Sequence, residues 1–294
     1  MTGKPIVFGE VLFDHFPDGS RVLGGAPFNV AWHLQALGLE PLFISRVGDD
    51  ALGNQIRDAM MGWGLTTAGL QRDSSHPTGT VEVSLTGGDA AYEIVPHRAY
   101  DHISPDVFPP AVTAAGLIYH GTLATREGAS RAALDTLLAH GDTPVFLDVN
   151  LRDPWWQRDA VLADMRRADH LKLNEDELDT LLPDAAPLAQ RIPRLMADYD
   201  LATVVITRGS AGAEGFARDG TTAMAAPRAV VDVVDTVGAG DSFAAVLIAG
   251  LLRDWPLKDT LERAQEMASA IVGRRGATVN DEDFYRPLRD RWEI

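Results

Sequence analysis

The sequence predicts an α/β fold, in which a mostly parallel sheet carries helices on both faces. Short apolar segments of strand length recur along the chain and alternate with longer segments of helical periodicity. The chain has 294 residues, 46% of them hydrophobic, which is enough to bury a large core. Such alternation places successive strands in parallel, because each helix carries the chain back across the sheet. Ligands of these sheets bind at the carboxyl ends of the strands.

The predicted elements follow from these periodicities. The strands are short and apolar, and they lie at residues 6–11, 42–47, 116–120, 145–149, 170–173, 203–207 and 213–216. The helices are longer and amphipathic or apolar, and they lie at residues 26–37, 52–63, 127–139, 160–167, 175–182, 188–199, 240–252 and 258–272. We find no internal repeat and no low-complexity linker, and we expect a single domain over residues 1–294.

One segment departs from the alternation and predicts a β-hairpin. Residues 80–85 and 91–95 alternate with the strand period around Thr86-Gly87-Gly88-Asp89. A hairpin inserted between strand–helix units either leaves the main sheet and covers something, or forms an antiparallel edge strand of that sheet. Both alternatives are compatible with the sequence.

The composition excludes several classes of function. The formal net charge of −16 repels nucleic acid and anionic membranes, so we expect neither as a partner. The absence of cysteine excludes disulfides, thiolate metal sites and cysteine nucleophiles. None of the lysines, Lys4, Lys172 and Lys258, stands in a G-x-x-x-x-G-K-[ST] context, so the P-loop signature is missing. With no leader segment and no long apolar run, we expect a soluble, cytoplasmic protein.

Residues 235–243 are the most informative segment of the chain. They read Asp-Thr-Val-Gly-Ala-Gly-Asp-Ser-Phe and open the helix predicted at 240–252. The N–H groups of Gly238, Ala239 and Gly240, together with a helix start, predict an anion-binding cradle. A carboxylate in such a cradle repels an anion, but it is useful if it faces a hydroxyl that attacks a phosphate, so Asp241 is the expected base. The alternative is a Gly-rich helix start with an ordinary N-terminal aspartate.

A second glycine-rich segment precedes the first predicted helix. Gly24 and Gly25 would let the main chain lie against a small ligand, and Asn29 can both donate and accept hydrogen bonds to a diol. The alternative is a turn followed by a helix cap. Residues 235–243 are similar to the second signature of the PfkB family, the ribokinase-like ATP-dependent sugar kinases, and residues 24–29 resemble its first signature.

The resemblance spans about residues 5–280 and has both signatures in the family's order. It implies a ribokinase-like fold with a small β lid, formed by strands at about 11–24 and 78–98, and a homodimer formed through that lid.

The resemblance also implies which residues hold the sugar. Asp14, Gly24, Gly25 and Asn29 would bind its hydroxyls, and a carboxylate such as Asp14 accepts strongly from neutral hydroxyls. Arg152 would meet the sugar or the transferring phosphate. It ends a segment, residues 148–152, in which valine replaces the proline of the Asp-Pro-Asn-Leu-Arg sequence in fructokinase-like members. The alternatives are a solvated turn acid for Asp14 and a surface arginine for Arg152.

On the nucleotide side, the resemblance places Asn174 near the phosphates, with Glu177 organising Mg²⁺ through water. The Asn-x-x-Glu spacing also matches a capping box, and the two interpretations are compatible. The remaining implied contacts are Thr207, Gly209 and Gly212 in a phosphate turn, with Arg208 as a charge partner, Gln265 beside adenine, and Asp235 as a ligand of a monovalent cation such as K⁺.

The resemblance implies an ATP-dependent sugar kinase that uses Mg²⁺ and transfers the γ-phosphoryl group to a primary hydroxyl. The Gly9-Glu10-Val11 opening and residues 148–152 are most similar to fructokinases, which indicates fructose 6-phosphate as product. One alternative is a 2-keto-3-deoxygluconate kinase, in which Tyr92, Arg98 and Tyr100 would contact the carboxylate; another is a different PfkB sugar kinase. An alternative of another class is an inactive sugar-binding regulator, against which the retained Asp241 argues.

Overall fold

The computed structural model describes residues 3–86, 89–139, 141–227 and 234–294, and the Gly87-Gly88 turn predicted for the hairpin lies outside them. The strands are β1 Lys4–Phe8, β2 Leu12–His15, β3 Arg21–Gly24, β4 Leu42–Gly48, β5 Leu70–Asp73, β6 Gly79–Thr86, β7 Asp89–Ile94, β8 Ala115–His120, β9 Val145–Asp148, β10 His170–Asn174, β11 Thr203–Thr207, β12 Ala213–Ala217 and β13 Thr222–Ala225.

The helices alternate with these strands over most of the chain. They are α1 Ala26–Ala36, α2 Ala51–Gly62, α3 Gly128–Leu138, α4 Arg158–Met165, α5 Glu175–Leu181, α6 Leu188–Tyr199, α7 Ala239–Leu252, α8 Leu257–Val272 and α9 Glu282–Trp292. In the parts of the chain that the structure describes, no helix is both long enough and apolar enough to cross a membrane.

A large, mostly parallel sheet forms the centre of the fold. Its strand order is β13-β12-β11-β10-β9-β8-β1-β4-β5. The strands from β11 to β5 pair in parallel, whereas β12 and β13 add an antiparallel hairpin at one edge. The predicted fold class is confirmed.

The apolar character of β1 explains why both faces of the sheet are covered. Successive residues of a strand point to opposite faces. Val7 packs in the core cluster that contains residues of α1, α7 and α8, while Ile6 and Phe8 pack with Leu134 of α3 on the other face. The side chains of Ile6, Val7 and Phe8 are at most 1% exposed, and burying each of them contributes about 1.5–3 kcal/mol to the stability of the fold.

A second sheet of four strands stands apart from the first, in the order β3-β2-β6-β7. The hairpin predicted around residues 80–95 pairs with β2 here, so the alternative of an edge strand of the main sheet is wrong. The chain enters this sheet directly after β1, because Gly9 ends the strand with φ 152° at a point where a Cβ atom would lie 2.9 Å from Pro27 Cβ. The strand predicted at 6–11 therefore ends earlier than expected.

The periodicity of the sequence does not predict five of the elements: β2, β3, β5, β13 and α9. Each of these strands has only four residues, too few to establish the alternation on which the predictions rest. The helix α9 is rich in charged residues and contains Pro287, but it buries Tyr285, Leu288 and Trp292 on one face.

Candidate functional site

The start of α7 is shaped by Gly238, which lies at the N-cap position with φ 80°. A Cβ atom at this residue would stand 2.5 Å from Ala277 Cα, so only glycine fits both the backbone conformation and the space. Ala239 and Gly240 open the helix, and Asp241 lies in its first turn. The structure therefore has the glycine-rich helix start on which the predicted anion cradle depends.

The two glycine-rich segments meet at one hydrogen bond. Asn29, in α1, donates from Nδ2 to Asp241 Oδ2 at 2.7 Å, although the residues are 212 positions apart in sequence. The backbone that precedes α1 is packed closely, since a Cβ atom at Gly25, which has φ 110°, would lie 2.7 Å from the carbonyl oxygen of Glu10. Asn29 is 3% exposed, and its Oδ1 is buried without a hydrogen-bond partner among the described residues.

Asp241 combines burial with several charged neighbours. Burial raises the pKa of its carboxyl to about 6, and Asp148 adds to this rise. The hydrogen bond from Asn29 and the positive charges of Lys172 and Arg152 act in the opposite direction and lower the pKa. At neutral pH the group is therefore mostly ionised, yet it is more basic than an ordinary aspartate.

A buried ion pair lies under the start of α7. Lys172 Nζ, in β10, donates to both oxygens of Asp148 at 2.8 and 2.9 Å, and Tyr119 Oη donates to Asp148 Oδ2 at 3.4 Å. The ammonium group also lies 3.8 Å from the position that a Cβ atom would take at Gly240. Burial lowers the pKa of Lys172, but Asp148 more than offsets this effect and leaves the pKa above its ordinary value.

The small sheet brings a further carboxylate to the same region. Asp14 lies in β2 opposite Val22 of β3, and its Oδ2 is 3.7 Å from the position of a Cβ atom at Gly24. Burial raises the pKa of Asp14 to about 6, while the charge of Arg152 lowers it. Arg152 itself is exposed, and its charge acts on Glu10, Asp14 and Asp241 together. The charge of one cation thus acts on three acids from different elements, which are the segment after β1, strand β2 and helix α7.

Asn174 and Glu177 form the capping box that their spacing predicts, which confirms that prediction. Asn174 Oδ1 accepts from the Glu177 N–H at 2.8 Å, and Glu177 Oε2 accepts from the Asn174 N–H at 2.8 Å. Glu177 Oε1 accepts from the Leu151 N–H, also at 2.8 Å. The glutamate therefore links α5 to the segment that carries Arg152. Burial raises its pKa, and backbone hydrogen bonds oppose the rise.

The turn after β11 has the backbone geometry of a tight glycine turn. Gly209 has φ 50° and Gly212 has φ 91°, and a Cβ atom at Gly212 would strike the carbonyl oxygen of Ala225. Thr207 ends β11, a parallel neighbour of the strand that ends at Asn174. Arg208 is paired with Glu214, so its charge is already matched by a carboxylate of the protein.

The carboxylate of Asp235 joins two loops beside the cradle. Its Oδ1 accepts from the Val237 N–H at 3.0 Å and its Oδ2 from the Gly276 N–H at 3.1 Å. Gln265 lies in α8, where its Nε2 donates to Ser269 Oγ at 3.5 Å. The structure links Asp235 to the cradle through backbone contacts, whereas the hydrogen bond of Gln265 stays within its own helix.

The donor sets fit a cation only in part. No cluster of three or more acidic or histidine side chains suited to a metal occurs among residues 3–86, 89–139, 141–227 and 234–294. Both oxygens of Glu177 already accept backbone N–H groups, so this residue suits a water-mediated contact to Mg²⁺ better than direct ligation. Both oxygens of Asp235 are occupied in the same way.

Lys172 and Glu10 are among the ionisable residues of this region that were not predicted as parts of a site. Lys172 is one of three lysines in the chain and lies in a buried strand. Glu10 is 4% exposed at the carboxyl end of β1. The available signal was the same for both, since lysine and glutamate are almost never fully buried without a specific partner. An ionisable residue within an otherwise apolar strand segment could therefore have been predicted from the sequence as a candidate site residue.

The chain is similar to known sugar kinases over most of its length. The family described as "pfkB family carbohydrate kinase" matches residues 8–283. A fructokinase of Klebsiella pneumoniae is 34% identical over 267 residues, which cover 85% of each chain. A fructokinase of Escherichia coli is 28% identical over 296 residues, which cover 94% of this chain and 95% of that one.

Solved structures show the same fold. A fructokinase from Xylella fastidiosa with bound ATP has a TM-score of 0.87 at 21% identity, covering 99% of both chains. A 2-dehydro-3-deoxygluconokinase from Thermotoga maritima has a TM-score of 0.84 at 21% identity, covering 98% of this chain and 99% of that one. Since the family match extends over nearly the whole sequence, the chain belongs to the pfkB family of carbohydrate kinases.

Proposed function

We propose that this protein is a fructokinase, which transfers the γ-phosphoryl group of ATP to the 6-hydroxyl of fructose. The observation that carries the proposal is the hydrogen bond from Asn29 to Asp241, because it joins the segment suited to a sugar to the segment suited to a phosphate. The similarity to fructokinases of Klebsiella pneumoniae and Escherichia coli supports fructose as the acceptor.

In the proposed reaction, the oxygen of the sugar hydroxyl attacks the γ-phosphorus and the bond between that phosphorus and the bridging oxygen of ADP breaks. The hydroxyl proton passes to the carboxylate of Asp241. With a pKa of about 6, Asp241 is ionised at neutral pH and is a better base than an aspartate in water. Proton transfer is late in a loose transition state, so the position of this base matters more than its strength.

The cradle acts on the transferred group. The N–H groups of Gly238, Ala239 and Gly240 are proposed to face the oxygens of the γ-phosphoryl group, where each donor contributes about 3 kcal/mol in comparable oxyanion sites. The exposed guanidinium of Arg152, which already acts on Asp14 and Asp241, would balance charge between the sugar and the phosphate. Asp14, Gly24, Gly25 and Asn29 would hold the sugar.

On the nucleotide side, we propose Asn174, Thr207, Gly209, Gly212 and Gln265 as contacts of ATP. The parallel pairing of β10 with β11 supports the first four, because it places Asn174 directly beside Thr207 at the ends of neighbouring strands. Gln265 has the weakest support of the five, since its hydrogen bond lies within α8.

Two cations belong to the proposal. Mg²⁺ would neutralise phosphate charge, with Glu177 holding it through water because both carboxylate oxygens also serve backbone N–H groups. A monovalent cation such as K⁺ would lie near Asp235, whose carboxylate ties residues 234–237 to Gly276 under the cradle. One solved fructokinase, from Vibrio cholerae, is 24% identical to this chain. Its structure contains bound fructose, ADP and a potassium ion.

We propose that the chain works as one ribokinase-like domain over residues 1–294, in which the small sheet is a lid over the sugar. The position of Asp14 in β2 supports a lid, because that strand brings a sugar-binding candidate within range of the charges of Arg152 and Asp235. A homodimer formed through this sheet is part of the proposal, and the 55% exposed Tyr92 of β7 supports it as an apolar group on the lid.

The sugar-acid alternative has less support from the geometry. Tyr100 is fully buried and its hydroxyl accepts from Arg126 at 3.1 Å, while Tyr92 is exposed in β7. A carboxylate-binding group that includes both tyrosines would therefore need the buried Tyr100 hydroxyl, which already serves Arg126.

The test is a coupled ADP-release assay with Mg-ATP and fructose, 2-keto-3-deoxygluconate, ribose or adenosine. Fructose should give the highest kcat/KM. Highest turnover on the ketodeoxygluconate would replace fructose with the sugar acid as substrate. Sugar binding without turnover on any of the four would favour the inactive regulator.

A further inference from the structure

Two buried side chains of opposite charge lie beside the proposed sugar site and have no assigned role. They are Glu10, which follows β1, and Arg126, which precedes α3. The side chain of Arg126 is 2% exposed, and Glu10 is 4% exposed. Each has one polar atom that is buried without a hydrogen-bond partner among the described residues, Glu10 Oε2 and Arg126 Nη1.

The guanidinium of Arg126 is held rigidly from one side. Its Nε and Nη2 donate to the two oxygens of Asp101 at 2.8 and 2.9 Å. Nη2 also donates to the Val95 carbonyl at 2.9 Å and to Tyr100 Oη at 3.1 Å. The group is stacked over the ring of Trp155, with Cζ 4.4 Å from the ring centre. All of these contacts leave Nη1 unused.

Glu10 reaches the same region from the main sheet. A Cβ atom at Gly25 would lie only 2.7 Å from the carbonyl oxygen of Glu10. The backbone of Glu10 therefore borders the segment that leads to Asn29. The next residue, Val11, lies against Gly79, which in turn packs against the ring of Tyr100. Since Tyr100 Oη accepts from Arg126, this series of contacts connects the backbone of Glu10 to the guanidinium.

The charged groups act on one another but do not touch. The positive charges of Arg152 and Arg126 lower the pKa of Glu10, and the charge of Asp241 raises it. Glu10 in turn is one of the groups that raise the pKa of Arg126. No hydrogen bond or ion pair joins Glu10 to Arg126 in the described part of the chain, although both are buried.

An unpartnered buried polar atom costs about 1–3 kcal/mol, so two of them in one region need a reason. A small group that both donates and accepts hydrogen bonds would satisfy both atoms, and a sugar hydroxyl is such a group. We propose that Glu10 Oε2 and Arg126 Nη1 together bind one hydroxyl of the acceptor sugar, at a position other than the phosphorylated hydroxyl. This inference rests on the proposed function of the site as a sugar kinase.

The pair suits a neutral hydroxyl better than an anion. Burial raises the pKa of Glu10 to about 7, so near neutral pH the group is divided between its charged and neutral forms. The carboxylate form accepts a hydrogen bond from the hydroxyl, while Arg126 donates a hydrogen bond to the hydroxyl oxygen. A phosphate bound at this position would be repelled by the carboxylate form of Glu10. The phosphorylated end of the sugar therefore lies elsewhere, at Asp241.

The test combines side-chain and substrate deletions. Wild type and Glu10→Gln are assayed with fructose, 1-deoxyfructose, 3-deoxyfructose, 4-deoxyfructose and 2,5-anhydromannitol. In the wild type, one analogue should lose at least about tenfold in kcat/KM, since its missing hydroxyl leaves buried polar groups unpaired. Glu10→Gln should raise the KM for fructose about tenfold. With that same analogue as substrate, kcat/KM of Glu10→Gln should be less than twofold below that of the wild type, because the hydroxyl that Glu10 binds is already missing. The KM for ATP should change less than twofold.

Arg126→Lys keeps the charge but removes the planar fork, and it should reproduce the loss on the same analogue. Glu40→Gln, an exposed change, is the matched control and should leave every value unchanged. If Glu10→Gln fails to fold, Glu10→Asp carries the same comparison. The inference is overturned if the fructose KM of the Glu10 variant stays within twofold of wild type. It is also overturned if, for every analogue, the fold loss in kcat/KM of the variant equals the product of the loss from the substitution and the loss from the missing hydroxyl. Absence of wild-type turnover on any sugar would instead overturn the proposed function.

Discussion

Asn29 Nδ2 donates to Asp241 Oδ2 at 2.7 Å and so fixes the orientation of the one carboxylate that lies in the first turn of α7. The hydrogen bond leaves Asp241 Oδ1 outside this contact. A carboxylate held in this way can present that oxygen to a substrate hydroxyl. The base and its positioning residue come from opposite ends of the chain, so the site forms only when α1 and α7 pack together.

We expect Asp241→Asn to lower kcat by at least about 100-fold, because the amide cannot accept the hydroxyl proton. The fold and ATP binding should be retained, since an amide has nearly the same size and can still accept from Asn29. Steady-state kinetics, with circular dichroism and nucleotide titration, would measure this. Asp219→Asn, at a fully exposed turn, is the control. A loss of less than tenfold would remove Asp241 from the role of base.

The pH dependence should report the same group. The base must be ionised, so kcat/KM should fall as the pH drops through about 6, where Asp241 becomes protonated. In Asn29→Ala, the hydrogen bond that lowers this pKa is lost, and the acidic limb should move to higher pH by about one unit. The control is Asn54→Ala, which removes an exposed contact to Arg72. An unmoved limb in Asn29→Ala would show that another group controls the profile.

The buried pair of Lys172 and Asp148 gives a test of both stability and mechanism. Lys172→Met leaves a buried carboxylate without its cation, and we expect a loss of about 3–5 kcal/mol in the free energy of unfolding. Loss of the ammonium charge should also move the acidic limb to higher pH, because Lys172 lowers the pKa of Asp241. Urea denaturation and the pH profile would measure the two effects.

The double variant Lys172→Met with Asp148→Asn is the control for this pair. It removes both charges, so most of the lost stability should return. If the double variant is less stable than Lys172→Met alone, the cost of the single substitution does not come from an unpaired carboxylate, and Lys172 stabilises the fold in some way other than by neutralising Asp148.

The sequence predicts the parts of this molecule that depend on local patterns. The helix start at Gly238, the capping box of Asn174 and Glu177, and the main strands all follow from spacing within about ten residues. The roles of the candidate site residues remain predictions, but their placement near the ends of neighbouring strands follows from the parallel sheet.

The remaining features depend on contacts between distant segments, which no local pattern encodes. Lys172 and Asp148 are 24 residues apart, and their pairing follows from the parallel register of β9 and β10. More than 100 residues separate Glu10 from Arg126, and Glu10 is buried where the chain passes from the main sheet into the small one. Short strands such as β5 are stabilised by their neighbours and lack the length to be recognised alone.

The cradle itself can be tested through Gly238, with Gly220 as a matched control. Both residues have positive φ, 80° and 88°, so alanine at either costs about 1–2 kcal/mol in backbone strain. A Cβ atom at Gly238 would also stand 2.5 Å from Ala277 Cα, whereas none of the described atoms lies within 4 Å of a Cβ atom at Gly220. We expect Gly238→Ala to lower kcat/KM for ATP at least tenfold, because the start of α7 must move and its N–H groups no longer converge on the phosphate.

Gly220→Ala should show a similar strain cost in thermal unfolding and no change in kcat/KM, because it lies in an exposed turn between β12 and β13. Comparison of the two variants separates backbone strain from displacement of the cradle. Equal kinetics in both would mean that the N–H groups at the start of α7 do not stabilise the transferred phosphoryl group, and the anion-binding role of residues 238–240 would have to be abandoned.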